Sequence, residues 1–185
     1  MTPSLNNLQQ LLADRSARRG KFTLSSGRES TLYIDARLTT MSPEGLMLIG
    51  ELGFDALESS GWNVQSVGGL TLGADPVAYA IAYTSARKTH LIRAFTVRKE
   101  AKAHGTGQLI EGPFAKGDRV AIVEDVITTG GSALKAAYTV QAAGGVIVGV
   151  LAVVDRDEGG REAIEAAGFP VVALVKAETI VARIA

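Results

Sequence analysis

The chain has 185 residues, 46% of them hydrophobic, with 19 Lys plus Arg against 19 Asp plus Glu. A net charge of zero does not favour a polyanionic partner such as nucleic acid or an acidic membrane surface. The absence of cysteine excludes disulfides, thiol nucleophiles and Cys-ligated zinc, and two lone histidines do not suit a His-rich metal site. These properties predict a single domain over residues 1–185.

The N-terminal segment predicts an amphipathic helix, because its leucines repeat at helical spacing. They are Leu5, Leu8, Leu11 and Leu12. We expect this helix to cover about the first eighteen residues and to end before Gly20. The segment lacks the basic-then-apolar order of a signal peptide, and no run of eighteen apolar residues follows, so a cytoplasmic location is expected.

Residues 21–37 predict short extended pieces around the turn Ser25-Ser26-Gly27. Ser42-Pro43 then predicts a helix start, with serine as the N-cap and proline at the first helical position. We expect that helix to continue to about Ser60.

Alternating strands and helices follow. The Val- and Ile-rich runs are at 64–67, 91–97, 119–123, 146–154 and 171–175, and helical patterns lie at 75–86, 131–143 and 160–168. Continuous β-branched runs joined through helices are typical of a parallel sheet buried on both faces, so the fold class is α/β, an open parallel sheet flanked by helices. The glycine-rich stretch 98–117 is too long for a tight connection and predicts a mobile loop.

The segment 120–132 carries the most chemical information. A strand leads into Glu124 and Asp125, and a loop of small residues then opens a helix. That loop is Thr128, Thr129, Gly130, Gly131 and Ser132. Its backbone N–H groups and the helix dipole favour a phosphate, and the two carboxylates suit the hydroxyls of a ribose.

This segment has two other interpretations. It could be an ordinary strand that ends in solvated acids before a capped helix, or a Walker B strand. The chain has no G-x-x-x-x-G-K-[ST] sequence to complete a P-loop and no G-x-G-x-x-G after a first strand for a dinucleotide.

The predicted mobile loop begins with a cationic cluster. Its members are Arg98, Lys99, Lys102 and His104. Such a cluster before flexible glycines suits closure over an anionic leaving group such as pyrophosphate. A solvated basic loop without a partner is the alternative for this segment taken alone.

Several segments together resemble one family. Residues 120–132 resemble the motif that binds 5-phosphoribosyl 1-diphosphate (PRPP) in type I phosphoribosyltransferases, and RKEAKAHG at 98–105 closely resembles the catalytic loop of the orotate phosphoribosyltransferase family. FTLSSGR at 22–28 with Tyr33-Ile34-Asp35 is similar to that family's N-terminal orotate-side segment. Asp155-Arg156 resembles its orotate-carboxylate contact, and GGLTLG at 68–73 its second PRPP loop.

The resemblance implies a type I phosphoribosyltransferase fold with a small N-terminal hood-like segment over residues 1–40. It implies that N1 of orotate displaces pyrophosphate from C1 of PRPP, giving orotidine 5'-monophosphate (OMP) in pyrimidine (UMP) biosynthesis. Mg2+ would be the cofactor, held mainly by PRPP with no direct protein ligand. A homodimer would form, in which the 98–107 loop reaches the neighbouring site.

The resemblance also implies residue roles. Lys102, His104 and Asp125 would be catalytic, with Lys102 or His104 as the proton donor. PRPP would contact Arg98, Lys99, Lys102, His104, Glu124, Asp125 and the loop 128–132. Orotate would contact Ser25, Thr128 and Arg156.

The chain departs from many family members at two places. They carry a lysine where this chain has Ser25, and another in the 69–73 loop, where this chain has none. Fewer cations would therefore face the ligands. A phosphoribosyltransferase for another nucleobase and a non-catalytic PRPP-sensing regulator remain alternative functions, although the intact 98–107 loop does not favour the regulator.

Overall fold

The computed structural model describes residues 3–23, 29–88, 90–100 and 108–184. The helices within these ranges are α1 (Pro3–Arg15), α2 (Arg37–Thr40), α3 (Pro43–Ser59), α4 (Ala74–Ser85), α5 (Gly131–Ala142), α6 (Gly160–Ala166) and α7 (Ala177–Val181). The strands are β1 (Ala17–Thr23), β2 (Glu29–Ile34), β3 (Ser66–Leu70), β4 (Arg93–Val97), β5 (Ile110–Glu111), β6 (Arg119–Ile127), β7 (Val146–Asp155) and β8 (Val171–Lys176).

The N-terminal segment forms one helix and a hairpin. α1 ends at Arg15, earlier than predicted, because β1 begins at Ala17 and pairs antiparallel with β2 in a separate two-stranded sheet. The buried Ser16 hydroxyl lies 2.7 Å from the Thr39 hydroxyl, which ties this junction to α2. Residues 17–20 are therefore strand, and the extended region starts before residue 21.

The main sheet has six strands in the order β5-β4-β3-β6-β7-β8. Neighbouring strands are parallel except β5, which pairs antiparallel with β4 at the edge. The predicted α/β class and its five parallel strands are confirmed, with one antiparallel edge strand that was not predicted. β3 and β6 are neighbours in the sheet. After β3 the chain continues to β4 on one side, and after β6 it continues to β7 on the other side. The carboxyl ends of β3 and β6 therefore form the topological switch point, where ligands bind in such sheets.

Helices cover both faces of this sheet, as the β-branched runs predicted. Alternate residues of β6 point to opposite sides, with Val123 in the core beneath α1, α3 and α4 and Ile122 in the core beneath α5 and α6. Both residues are fully buried. The sheet is thus a rigid platform whose carboxyl edge stays open between the two layers.

Local signals set several helix ends. Ser42 caps α3 by accepting a hydrogen bond from the N–H of Gly45 at 3.1 Å, with Pro43 at the first helical position. Gly144 and Gly168 follow α5 and α6 with φ of 88° and 90°, where only glycine is unstrained. Among the described residues, no helix combines the length and apolarity that crossing a bilayer would need.

Candidate active site

A pocket of about 320 Å³ lies at the carboxyl ends of β3 and β6. Its lining residues are Tyr33, Ile34, Asp35, Ala36, Arg37, Leu70, Thr71, Leu72, Gly73, Lys99, Glu124, Asp125, Val126, Thr128, Ser132 and Arg156. Segments after four strands of the sheet and one from the N-terminal hairpin therefore meet here. This is the position that the strand order predicts for a ligand.

Glu124 and Asp125 lie inside β6, not after it as the sequence suggested, because β6 stays paired with β7 as far as Ile127 and Asp155. Glu124 is buried, and its Oε2 atom has no hydrogen-bond partner among the described residues. Burial, and next the charge of Asp125, raise the pKa of Glu124 well above its ordinary value. Asp125 accepts a hydrogen bond from the N–H of Val126 at 2.8 Å.

The loop 128–132 carries β6 into α5 and encloses a small adjoining cavity of about 40 Å³. Gly130 caps α5 with φ of 79°, and a side chain there would come within 2.8 Å of the Gly160 carbonyl oxygen. The first N–H groups of an α-helix have no acceptor within the helix, and α5 begins inside this loop at Gly131. The predicted phosphate loop is thus at a helix N-terminus, with Thr128 and Ser132 lining both cavities.

The segment 71–73 forms the opposite wall. Gly73 is required here, because a Cβ atom would lie 2.6 Å from Oδ1 of Asp125. The Thr71–Leu72 peptide bond is cis. The Thr71 hydroxyl donates to Asp75 at 2.6 Å, which fixes the wall to the start of α4. The predicted second loop therefore faces the acids of β6.

The two described cations of the 98–107 loop lie in different surroundings. Lys99 lines the pocket of its own chain, and its carbonyl oxygen accepts a hydrogen bond from Lys135 at 2.9 Å. Arg98 is not among the lining residues and instead pairs with Glu111 at 3.4 Å.

Arg156 follows β7 and enters the pocket from the side of the N-terminal hairpin. Its side chain is only 6% exposed, so its ion pair with Glu158 is not a pair on the protein surface, as the residue type alone would suggest. Nη2 lies 2.7 Å from Glu158 and donates to the Leu32 carbonyl oxygen of β2 at 3.2 Å. Arg156 thus joins the hairpin to the main sheet.

Arg37 is a pocket residue that the sequence interpretation did not single out. Its Nε and Nη2 atoms donate to the two carboxylate oxygens of Asp35 at 2.8 Å and 2.9 Å. Asp35 belongs to the predicted orotate-side segment, and its D-x-R spacing to Arg37 is the sequence signal for this pair. The Arg37 side-chain hydrogen bond, more than any other contact, lowers the pKa of Asp35.

Ser25, Lys102 and His104 lie outside the described residues, as does the turn at 25–27. Within the described ranges, no cluster of three or more His, Asp or Glu side chains can hold a metal ion. The site therefore combines two acids, a phosphate-type loop and several cations.

At the switch point of this parallel sheet, two acids of one strand lie close to a loop that suits an anion and leads into a helix. This combination defines a site of the phosphoribosyltransferase class. No family model matches the chain. The chain is 51% identical over 174 residues to orotate phosphoribosyltransferase of Rhodopseudomonas palustris, and this alignment covers 92% of each of the two chains. The chain therefore belongs to the orotate phosphoribosyltransferase family.

Solved structures agree with this assignment. Mycobacterium tuberculosis orotate phosphoribosyltransferase in complex with Fe(III) dicitrate matches with a TM-score of 0.85 at 45% identity, covering 96% of this chain and 99% of that one. The same enzyme in complex with PRPP matches with a TM-score of 0.82 at 43% identity, with coverage of 96% and 99%. The similarity in fold extends over nearly all of both chains.

Proposed function

We propose that residues 1–185, acting as one domain, transfer the 5-phosphoribosyl group of PRPP to orotate, giving OMP and pyrophosphate in pyrimidine (UMP) biosynthesis. The observation that carries this proposal is the β6 site, where Glu124 and Asp125 lie near the end of the strand that leads into the loop 128–132 at the switch point. Family membership supplies the reaction, and the M. tuberculosis relative was solved with PRPP.

PRPP would lie along β6 with its 5-phosphate on the loop 128–132. The N–H groups at the start of α5 and the hydroxyls of Thr128, Thr129 and Ser132 supply donors for the phosphate. Glu124 and Asp125 would accept hydrogen bonds from the ribose hydroxyls. As the C1–O bond breaks, the ribose gains positive charge, and these carboxylates would stabilise it.

The leaving pyrophosphate gains negative charge as the bond breaks, and cations must stabilise it. Lys99 lines the pocket of its own chain, which supports this role for it there. Arg98, Lys102 and His104 from the loop of the neighbouring chain would complete the set, with Lys102 or His104 donating the proton. Closure of the 98–107 loop would also exclude water from the ribosyl centre.

Orotate would bind between the hairpin and β7. Arg156 would pair with the orotate carboxylate, and Thr128 and Ser25 would contact the base. Support for Arg156 comes from its position in the pocket beside Thr128 and from the fixed orientation that Glu158 and the Leu32 carbonyl impose on its guanidinium.

Mg2+ would enter mainly as a complex with PRPP. Such a site fits the described residues, because Mg2+ commonly keeps several waters and substrate phosphates and needs one or two carboxylates at most. Glu124 and Asp125 are the carboxylates within reach of the ribose, and the buried Oε2 of Glu124 has no other partner among the described residues. Bound Mg2+ would neutralise charge on the pyrophosphate.

A homodimer is also proposed, with the 98–107 loop serving the neighbouring site. In support, α3 and α4 expose large apolar side chains that line a groove of about 560 Å³. These are Met47, Tyr79 and Tyr83. Contiguous exposed apolar side chains of this size mark interaction surfaces. Arg98 pairs with Glu111 and does not line the pocket of its own chain, which supports a role for it at a second one.

The direct test is the fall in orotate absorbance when the protein is mixed with PRPP and Mg2+. We expect turnover of orotate and no comparable turnover of adenine, hypoxanthine or uracil. Asp125→Asn is the matched control, because it keeps the shape of the site while removing one charge, and its kcat/KM should fall roughly 10- to 1,000-fold. Preferential use of a purine would overturn the proposal.

A further inference from the structure

The wall formed by residues 71–73 lacks a cation. Its side chains are those of Thr71 and Leu72, with Gly73 beside Asp125, and Leu72 is 54% exposed. A ligand with a diphosphate would meet a neutral wall here, opposite the two acids of β6. Neutral walls stabilise a multiply charged anion poorly unless another element supplies positive charge.

Arg37 supplies positive charge at the same pocket. Its side chain is 48% exposed, and Nη1 makes no hydrogen bond within the described part of the chain. Asp35 raises the pKa of Arg37 most, through hydrogen bonds and charge, and the charge of Asp125 raises it further. Arg37 is therefore close enough to Asp125 for the charge of that carboxylate to act on it.

Asp35 fixes the orientation of that guanidinium. The two bonds at 2.8 Å and 2.9 Å form a fork, and the backbone N–H of Arg37 also donates to Oδ1 at 3.2 Å. An arginine side chain carries five N–H donors. The two that bind Asp35 therefore leave three that point away from Asp35. Because the side chain is already ordered, binding an anion costs less conformational entropy than ordering a mobile lysine would.

The other described cations of the pocket, Arg156 and Lys99, make different contacts from those of Arg37. Arg156 is 6% exposed and ion-paired with Glu158 on the orotate side. Lys99 lies two residues after the end of β4, and its carbonyl oxygen accepts a hydrogen bond from Lys135. Arg37 is thus a partly exposed, pre-oriented cation that comes from the N-terminal segment.

We propose that Arg37, oriented by Asp35, binds the diphosphate of PRPP and supplies the positive charge that the 71–73 wall lacks. The inference rests on the proposed function. It makes Arg37 a binding residue for PRPP and pyrophosphate and not for OMP, because OMP has no diphosphate. Asp35 is a positioning residue that acts through Arg37.

Binding of PRPP, pyrophosphate and OMP, each with Mg2+, to the full-length protein by titration calorimetry tests this. Arg37→Ala should weaken PRPP and pyrophosphate binding roughly 10- to 100-fold, the scale of losing one charged hydrogen-bonding partner. OMP affinity should stay within about twofold. Arg37→Lys should recover part of the loss, and Asp35→Asn should weaken PRPP binding by less than Arg37→Ala.

Arg15→Ala is the matched control, since Arg15 is 41% exposed, pairs with Glu44 at 3.0 Å and lies outside the pocket lining. It should change none of the three affinities. If Arg37→Ala lowers the melting temperature, Arg37→Gln, which keeps most of the side chain, gives the same comparison. Unchanged PRPP binding, or equal loss of PRPP and OMP binding, overturns the inference alone. Wild-type protein that binds neither ligand overturns the proposed function and the inference with it.

Discussion

Glu124 and Asp125 are adjacent on β6 and line the same pocket, yet only Glu124 is buried with a carboxylate oxygen that lacks a hydrogen-bond partner among the described residues. Asp125 is partly exposed and bonded to a backbone N–H. Burial, followed by the charge of Asp125, raises the pKa of Glu124. Before any ligand binds, Glu124 therefore holds its proton to a higher pH than an ordinary glutamate does.

The first prediction concerns stability against pH. A raised pKa means that folded protein binds more protons than unfolded protein between the ordinary and the raised pKa, so the free energy of unfolding falls as pH rises through that window. Glu124→Gln cannot ionise. Its melting temperature minus that of the wild type should therefore increase from about pH 4 upward, where an ordinary glutamate begins to ionise. Thermal unfolding across pH 4 to 8 measures this. A constant difference would show that Glu124 ionises normally.

A second prediction links the same residue to PRPP. Ribose hydroxyls donate to the ionised carboxylate and favour it, so PRPP binding should release a proton from Glu124. Titration calorimetry in buffers of different ionisation enthalpy counts that proton. Glu124→Gln should release fewer protons per PRPP bound and should lose roughly 10- to 1,000-fold in kcat/KM. Equal proton release by both proteins would place the ribose hydroxyls elsewhere.

Arg156→Ala should raise the KM for orotate roughly 10- to 100-fold and the KM for PRPP much less, since only orotate loses a charged partner. Steady-state kinetics with each substrate varied separately checks this. Glu158→Gln is the control, because it removes the 2.7 Å ion pair but keeps Arg156. It should change the KM for orotate less than Arg156→Ala does. Equal effects of Arg156→Ala on both substrates would remove this residue from the orotate site.

A stability prediction concerns Asp155 at the end of β7. Asp155 is 1% exposed and accepts a hydrogen bond from Nε of Arg161 at 2.8 Å. Arg161→Ala would leave a buried carboxylate without its cation, a loss of about 2–3 kcal/mol, below the range for fully buried pairs because Arg161 is partly exposed. The melting temperature should fall by roughly 5–10 °C.

The nearby pair of Lys176 and Asp157 is the matched control for that measurement. Its atoms are 3.5 Å apart and both side chains are about half exposed. Lys176→Ala should cost less than about 1 kcal/mol. Similar losses for Lys176→Ala and Arg161→Ala would mean that burial of Asp155 does not set the strength of its ion pair.

Assembly can be tested with two inactive variants. Lys102→Ala damages the 98–107 loop and Asp125→Asn damages the ribose site. If loops act on the neighbouring site, a mixed dimer has one site with both parts intact. Random exchange makes half of the dimers mixed, so about a quarter of wild-type activity should return. Activity of the mixture, with exchange confirmed by a tag on one variant, measures this. Confirmed exchange without recovery would show that each loop serves its own chain.

Much of the main sheet was predictable, since its strands are β-branched runs separated by helical patterns. The acids and loop of 124–132 were equally accessible, because strand, acids and helix start are contiguous in sequence. β5 has only two residues and forms by pairing with β4. A strand this short has no hydrophobic periodicity in the sequence from which it could be predicted. Arg37 was missed because its position depends on the hairpin meeting the sheet, which is a tertiary contact.

The antiparallel pairing of β4 with β5 also means that the length of the 98–107 loop has little effect on the stability of the sheet. Arg98 N–H donates to the Leu109 carbonyl oxygen at 2.8 Å, and Val97 pairs with Ile110, so both ends of the intervening segment are joined at a hairpin stem. The entropy of closing such a loop rises by only about 0.6 kcal/mol for each doubling of length. Insertions or deletions between the two sides of the stem therefore carry a small thermodynamic penalty, and loop length can diversify without disturbing the sheet.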